Sequence, residues 1–229
     1  MIKLKDILNE VRTLASSNNQ TVIYGFRHNS STDIKAALTH IKKTFPKDTE
    51  KIAFLGEGGD KDNNYPAGSE GEIIYRELQN YFTNTILNDS WDGLAFDVTN
   101  PSAPMYNMLQ SATGLPKYVV QGSIFTAMVG QGQDASELVR LLGESVASWL
   151  RNLGITKPTN PTGADRQRMY DLSFPEDTGG PQQEVSKVVQ AYNELRDANL
   201  IKKIHKYESQ GYRVIALAGE SHLDLIGSI

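Results

Sequence analysis

Two histidines occupy the same local pattern near opposite ends of the 229-residue chain. Each lies three residues after a glycine that ends an apolar run, in Gly25-Phe-Arg-His28 and in Gly219-Glu-Ser-His222. Histidine exchanges a proton near neutral pH and also binds divalent metals. A pair of histidines in one pocket could therefore activate water as a general base or hold a metal ion.

Acidic residues follow two other apolar runs of the chain. Lys51-Ile-Ala-Phe-Leu-Gly56 ends immediately before Glu57, and Gly93-Leu-Ala-Phe ends immediately before Asp97. A carboxylate next to a histidine can fix the tautomer of the ring, stabilise its cation or complete a metal site. Glu57 and Asp97 are therefore candidates for the same site as the histidines.

These side chains must be positioned by strands that alternate with helices. The pattern of apolar residues predicts strands at 21–25, 51–56, 93–97, 117–121 and 212–219, and helices at 2–11, 34–45, 69–82, 135–153 and 182–210. This alternation favours an α/β fold, with a mainly parallel central sheet covered by helices on both faces and the N- and C-terminal strands adjacent. Ligands of such sheets bind at the carboxyl ends of the strands, so we expect both histidines and both acids to meet there.

The length of the chain suits one domain with a sizeable core and is only marginal for two. We therefore expect a single α/β domain over residues 1–229. The segment from Lys157 to Pro181 is rich in Pro, Thr, Gly and Asp, which is typical of connecting loops. It predicts a flexible loop or flap at 157–181.

The composition argues against several classes of function. There is no cysteine, which removes disulfides, thiolate nucleophiles and cysteine-based zinc sites. The formal net charge of -4 provides no basic field for nucleic acid or an anionic membrane. Charges interrupt the apolar residues of the first ten positions, and no window resembles a membrane span. We expect a cytoplasmic protein whose substrate is a small molecule or a peptide, with no nucleic-acid or membrane partner. The sequence does not indicate the oligomeric state.

The order of the motifs resembles a superfamily that contains TraB/Tiki proteins, erythromycin esterases and ChaN-like haem-binding proteins. Its pattern has a first Gly-x-x-His, an acid after the next strand, an Arg-Asp or Arg-Asn pair late in the chain, and a closing Gly-x-x-His. The matching positions, in this order, are Gly25–His28, Glu57, Arg196-Asp197 and Gly219–His222. Together they extend over nearly the whole chain.

The resemblance implies that His28, Glu57, Arg196 and His222 line one pocket. In the esterase-like members a histidine activates water, while the acid and the arginine position the base and the substrate. In the Tiki-like members the two histidines and the acid hold a divalent metal, which makes His28, Glu57 and His222 the implied ligands here. Manganese, iron or zinc would suit such a set. The ChaN-like members imply haem as another cofactor.

The chain departs from the esterase pattern at the first motif, where Phe26 stands in place of Glu. The second motif has Glu220 at the equivalent position, so Glu220 is a further candidate catalytic residue. This departure leaves the class of substrate open.

Three functions are compatible with these residues. The first is hydrolysis of an ester or amide, in which His28 or His222 removes a proton from water and Arg196 holds the carbonyl oxygen or a substrate anion. In that mechanism Glu57 fixes the tautomer of the base and stabilises its cation. The second is a non-catalytic protein that binds haem or a metal. The third is an interaction module of the phage type that kept the fold without the chemistry.

Overall fold

The computed structural model describes residues 12–15, 20–27, 31–60, 62–173, 181–219 and 222–223. His28, Glu220 and the helix predicted at 2–11 lie outside these residues. The chain divides into two compact units. The sheet unit contains Met1–Leu94 and Arg196–Ile229, and the helical unit contains Ala95–Leu195. The expectation of a single domain over the whole chain stays a prediction.

A five-stranded sheet is the framework of the sheet unit. Its strands are β1 (Arg12–Ala15), β2 (Thr21–Phe26), β3 (Ile52–Gly56), β4 (Ile86–Ser90) and β5 (Arg213–Gly219). Their spatial order is β1-β2-β5-β3-β4. All neighbours pair in parallel except β1, which is antiparallel to β2. The prediction of a mainly parallel sheet is therefore confirmed, and β2, which the sequence predicted as the first strand, is adjacent to β5, the last.

Eight α-helices occur among the described residues. They are α1 (Ser31–Thr44), α2 (Glu70–Tyr81), α3 (Pro104–Thr113), α4 (Lys117–Gly130), α5 (Ala135–Leu138), α6 (Glu144–Asn152), α7 (Gly163–Ser173) and α8 (Pro181–Ser209). In the sheet unit, α1 and α2 pack on one face of the sheet and the second half of α8 packs on the other. None of these helices combines the length and the apolar character that crossing a bilayer requires.

The central strands β2, β3 and β5 are apolar on both faces, as expected of parallel strands covered by helices on both sides. Alternate side chains pack against α1 and α2, including Tyr24, Phe54 and Ile215. The intervening side chains pack against Leu200 and Ile204 of α8, including Ile23, Leu55 and Ala216. This period of two decides which helices each side chain contacts. Because β2, β5, β3 and β4 run parallel, the loops that follow them leave the sheet at the same edge.

Two of the strand predictions are wrong. Gly93–Phe96 is a short 3-10 helix, and the third parallel strand is β4, which precedes it. The apolar pattern did not predict β4 because this strand contains the polar sequence Asn-Asp-Ser. An edge strand tolerates such residues because one of its sides has no neighbouring strand. The strand predicted at 117–121 is the first part of α4, which is buried on nearly every side. A short apolar run cannot distinguish a buried helix from a buried strand.

The helical unit departs from the prediction in two further places. The helix predicted at 135–153 is divided into α5, a 3-10 turn at Val139–Leu141, and α6, with Gly143 just before α6. The segment at 157–181, expected as a loop or flap, contains α7. Composition alone missed this helix, and residues 174–180 of the segment lie outside the described residues.

A reciprocal pair of hydrogen bonds begins α7. The backbone N–H of Asp165 donates to Thr162 Oγ1 at 3.2 Å, and Asp165 Oδ2 accepts from the backbone N–H of Thr162 at 2.9 Å. Thr156 donates to the other carboxylate oxygen through both its backbone N–H and its hydroxyl. Burial by itself would raise the pKa of Asp165, but the hydrogen bonds from Thr162 and Thr156 outweigh it and lower the pKa to about 2.

This capping carboxylate should make the stability of the protein sensitive to acid. Since the pKa of Asp165 is lower in the folded chain than its ordinary 3.8, its contribution is complete above pH 4 and is lost as the pH falls towards 2. The loss should be about 2 kcal/mol in the free energy of unfolding. Chemical denaturation at several pH values should show that Asp165→Asn lowers stability at pH 7 and flattens this part of the profile. Asp171→Asn, at an exposed position of α7, is the matched control, and an equal effect there would contradict the prediction.

Candidate functional site

The guanidinium of Arg196 lies among three acceptors of the sheet unit. Its Nη2 donates to Glu57 Oε1 and to Asp92 Oδ2, the latter at 2.8 Å. Its Nη1 donates to His222 Nε2 at 3.1 Å. Glu57 directly follows β3 and His222 follows β5, so both are positioned by the carboxyl ends of adjacent parallel strands. Arg196 is positioned by α8, and its side chain is only 10% exposed.

The imidazole of His222 is held from its other side by Asp197. His222 Nδ1 and Asp197 Oδ1 are 2.6 Å apart, and both side chains are buried. A guanidinium can only donate hydrogen bonds, so Nε2 of the ring must accept from Arg196. The ring proton is therefore on Nδ1, which donates to Asp197. The two neighbouring residues of α8 together select a neutral imidazole with its lone pair on Nε2.

The two acids that bind Arg196 are themselves held by the backbone. Glu57 Oε2 accepts from the backbone N–H of Gly219 at 3.1 Å, which ties the end of β3 to the end of β5. Asp92 Oδ1 accepts from the backbone N–H groups of Gly58 and Gly93. Each carboxylate thus has one oxygen fixed by main-chain donors and the other directed at the guanidinium.

The indole of Trp91 forms one wall of this cluster. The guanidinium carbon of Arg196 lies 5.0 Å from the centre of the Trp91 ring, within the range of a cation–π interaction. The His222 ring meets the indole edge-on at 5.6 Å between centroids. The indole N–H donates to the carbonyl of Leu217 at 2.7 Å, so β5 fixes the position of the wall.

A small cleft opens beside the cluster at the carboxyl edge of the sheet. It has a volume of about 190 Å³. The lining residues are Phe26, Glu57, Ser69, Glu70, Gly71, Leu217, Ala218 and Gly219. Glu57 belongs to both the cluster and the cleft, and its side chain is 26% exposed. A cleft of this volume holds several water molecules, so it suits a small organic group.

The cluster carries an excess of negative charge. Glu57, Asp92 and Asp197 supply three carboxylates against the single guanidinium of Arg196. Within the described part of the chain, Asp197 Oδ2 is buried and has no hydrogen-bond partner. Buried charges are costly unless they are paired, so the positive charge of Arg196 is needed to hold these acids together.

A divalent metal does not fit these donors as they are arranged. Both oxygens of Glu57 and both ring nitrogens of His222 already have hydrogen-bond partners. Among the residues that the structure describes, no three His, Asp or Glu side chains are placed to hold a metal ion. His222 likewise has no nitrogen left for an iron of haem. His28, the other implied ligand, lies outside the described residues.

The structure brings together three of the predicted site residues, Glu57, Arg196 and His222. The acid that contacts Nδ1 of His222 is Asp197 and not Glu57. The role predicted for Glu57 beside His28 stays a prediction. Asp97 belongs to the helical unit, where its carboxylate accepts from the backbone N–H and hydroxyl of Thr99.

Two members of the cluster were missed in the sequence. Asp92 and Trp91 directly follow β4, and the polar character of that strand removed the signal that would have located them. Asp197 was noted only as part of the Arg-Asp pair. A helix places adjacent residues about 100° apart, so this pair could have been expected to contact different parts of one site.

Comparisons with family models, with curated proteins and with solved structures found no match to this chain. The resemblance to the TraB/Tiki and erythromycin esterase superfamily therefore stays a prediction that rests on the four motifs.

Proposed function

We propose that this site hydrolyses an ester or an amide, with His222 as the general base. The observation that carries the proposal is the buried contact between Asp197 and Nδ1 of His222, with Arg196 at Nε2. An acid on one ring nitrogen and a proton-accepting lone pair on the other are what a histidine base requires. A fixed cation beside that lone pair can stabilise the oxyanion that develops at a carbonyl.

The reaction begins when water and a substrate carbonyl replace the direct hydrogen bond between Arg196 and His222. Nε2 takes a proton from water as the water oxygen bonds to the carbonyl carbon. Arg196 Nη1 donates to the oxygen that becomes negative, and Asp197 stabilises the imidazolium. The carbon–oxygen or carbon–nitrogen bond then breaks, and the leaving group takes the proton from Nε2. His222 returns to its neutral state.

Glu57 and Asp92 act in this mechanism through Arg196. They hold Nη2 while Nη1 engages the substrate, so they are positioning residues for the guanidinium. Glu57 is also the member of the cluster that lines the cleft, which gives the acyl or leaving group a place beside the reacting carbonyl. The small volume of the cleft favours a compact group there.

Hydrolysis should be detectable with generic substrates. Purified protein should release product from short-chain aryl esters or small amides, and turnover should persist in the presence of a chelator. Glu57→Gln should lower kcat/KM by roughly ten- to a hundredfold, since it weakens a charged hydrogen bond worth about 1.5–3 kcal/mol. Glu50→Gln, at an exposed position just before β3, is the matched control. The absence of turnover over a broad panel of esters and amides would contradict the proposal.

One observation favours a second candidate, the non-catalytic interaction module. Both ring nitrogens of His222 already have partners, and its side chain is only 7% exposed. In a purely structural network the cluster would serve to tie α8 to the ends of β3 and β5. In that case the wild type has no turnover, and His222→Ala only lowers thermal stability. If the protein is the proposed hydrolase, His222→Ala loses turnover at temperatures where the variant is still folded.

A further inference from the structure

We infer that the cleft beside the cluster binds a compact apolar group of the substrate, and that Phe26 and Leu217 set the upper limit on the size of that group. The inference rests on the proposed function where the substrate is concerned, because it names the class of ester or amide that the site accepts. These are esters and amides in which one group attached to the carbonyl has about six non-hydrogen atoms or fewer.

The sheet supplies an apolar wall of the cleft. Phe26 ends β2, Leu217 lies two residues before the end of β5, and both side chains are buried on the face that α1 and α2 cover. Phe26 pairs with Gly219, which is two residues after Leu217 and therefore shares its face. The two side chains are thus diagonal neighbours, and Gly219 leaves open the space beside them.

The first turn of α2 supplies a second wall, through Ser69, Glu70 and Gly71. The backbone of this turn packs against the ring of Tyr65, because a Cβ added at Gly71 would lie 2.9 Å from Cδ1 of that ring. The Tyr65 hydroxyl accepts from the backbone N–H of Gly56 at 3.1 Å, which ties the ring to the end of β3. This wall is therefore held in place, and the size of the cleft depends on the side chains of the sheet.

The volume of the cleft limits the size of its occupant. An apolar cavity of about 150 Å³ is large enough for benzene. The cleft has a volume of about 190 Å³, so it holds a group of about six non-hydrogen atoms. Each CH₂ group that leaves water for such a lining should raise affinity by roughly two- to fourfold. A longer group has to extend back into water or displace Phe26 or Leu217.

Glu57 connects the cleft to the atoms that react in the proposed mechanism. The residue lines the cleft, while its carboxylate accepts from Arg196 and from the backbone N–H of Gly219. A group that fits the cleft leaves its carbonyl beside the guanidinium. A group that is too long holds the carbonyl away from it, and misplacement of this kind lowers the rate.

Binding to the cleft should be measured without any turnover. The probes are the straight-chain alcohols from ethanol to 1-octanol, which the proposed reaction does not consume. Each should be titrated into ¹⁵N-labelled protein, and NMR should follow the backbone amides of Gly71 and Gly219. We expect both signals to shift, with an affinity that rises roughly two- to fourfold per CH₂ up to about six carbons and then stays level.

Leu217→Ala should extend this limit by about two to three CH₂ groups, because it removes three carbons from the wall. Ile215→Ala is the matched control, since it removes apolar carbons from the same face of β5 at a residue that is not among those lining the cleft. It should leave the limit unchanged. If Leu217→Ala does not fold, Phe26→Leu is the milder enlargement and should shift the limit in the same direction.

Two series of esters should then be assayed in parallel. One varies the acyl group with phenol as the leaving group, and the other keeps an acetyl group and varies the alcohol. We expect kcat/KM to pass through a maximum in one series, which shows the side of the carbonyl that occupies the cleft.

The two measurements separate this inference from the proposed function. Alcohols that shift neither glycine signal, hydrolysis without a length limit in either series, or an equal shift of the limit in Ile215→Ala and Leu217→Ala would overturn the inference. The expected limit for the alcohols, with no turnover of any ester, would support the cleft as a binding site and contradict the hydrolase alone.

Discussion

Replacing His222 with alanine should lower kcat for ester or amide hydrolysis by about 10²–10⁴-fold, which is the acceleration that a general base supplies. The variant removes the atom that accepts the proton of water and leaves the oxyanion donor, Arg196, in place. Steady-state rates should be measured at a temperature where circular dichroism shows the variant to be folded. His205→Ala, at an exposed position of α8, is the matched control and should keep the rate of the wild type.

Asp197→Asn tests the same mechanism more selectively, since it changes one atom and keeps the shape of the side chain. An asparagine can turn its amide N–H₂ towards Nδ1, which would move the ring proton to Nε2, where it opposes the N–H of Arg196. The rate should fall by about 10²–10⁴-fold, as for the loss of the orienting acid in a histidine-based triad. Asp48→Asn, in an exposed loop, should have no effect. A full rate in either His222→Ala or Asp197→Asn would show that this histidine is not the base.

Replacing Arg196 with alanine should destabilise the protein by about 3–5 kcal/mol, because it removes one partner from a buried ion pair and leaves the other charged. Here two carboxylates lose their common cation, and both are largely buried. The free energy of unfolding from urea denaturation at neutral pH should report the loss. Arg151→Ala, at an exposed position of α6, should stay within about 0.5 kcal/mol of the wild type.

A double variant shows whether this loss arises from the uncompensated charges. Glu57→Gln in the Arg196→Ala background removes one of the two unpaired carboxylates, so the double variant should be more stable than Arg196→Ala alone. The coupling energy between the two positions should be at least about 0.5 kcal/mol, as is usual for residues in one network. Strict additivity would mean that Arg196 stabilises the chain by packing on Trp91 and not by its charge.

The sequence predicted most accurately those strands and helices whose pattern of apolar residues matches the side chains that are buried. The apolar runs that became β2, β3 and β5 are covered on both faces, so they are recognisable without any knowledge of their neighbours. The long apolar period of α8 is equally clear, and its predicted range of 182–210 agrees closely with Pro181–Ser209. The glycines that end β3 and β5 also marked the positions from which Glu57 and His222 reach the site.

The errors arose where pattern and burial disagree. The edge strand β4 is polar, and α4 is apolar on nearly all sides, so each resembles the wrong element in a single sequence. The start of α7 did carry a usable signal. Thr162 and Asp165 are spaced as in a capping box, which would have placed a helix in the segment expected to be a loop.

The sequence by itself determined which residues could do chemistry, because glycine, histidine, arginine and the acids are recognisable by type and by their place after a strand. Only the tertiary structure decided how they pair. The insertion of β5 between β2 and β3 brings Glu57 and His222 together across 165 residues of chain, and this depends on strand pairing that no local pattern encodes. The position of α8 across the same edge then places Arg196 between the acids and the imidazole, and brings Asp197 to Nδ1 of His222.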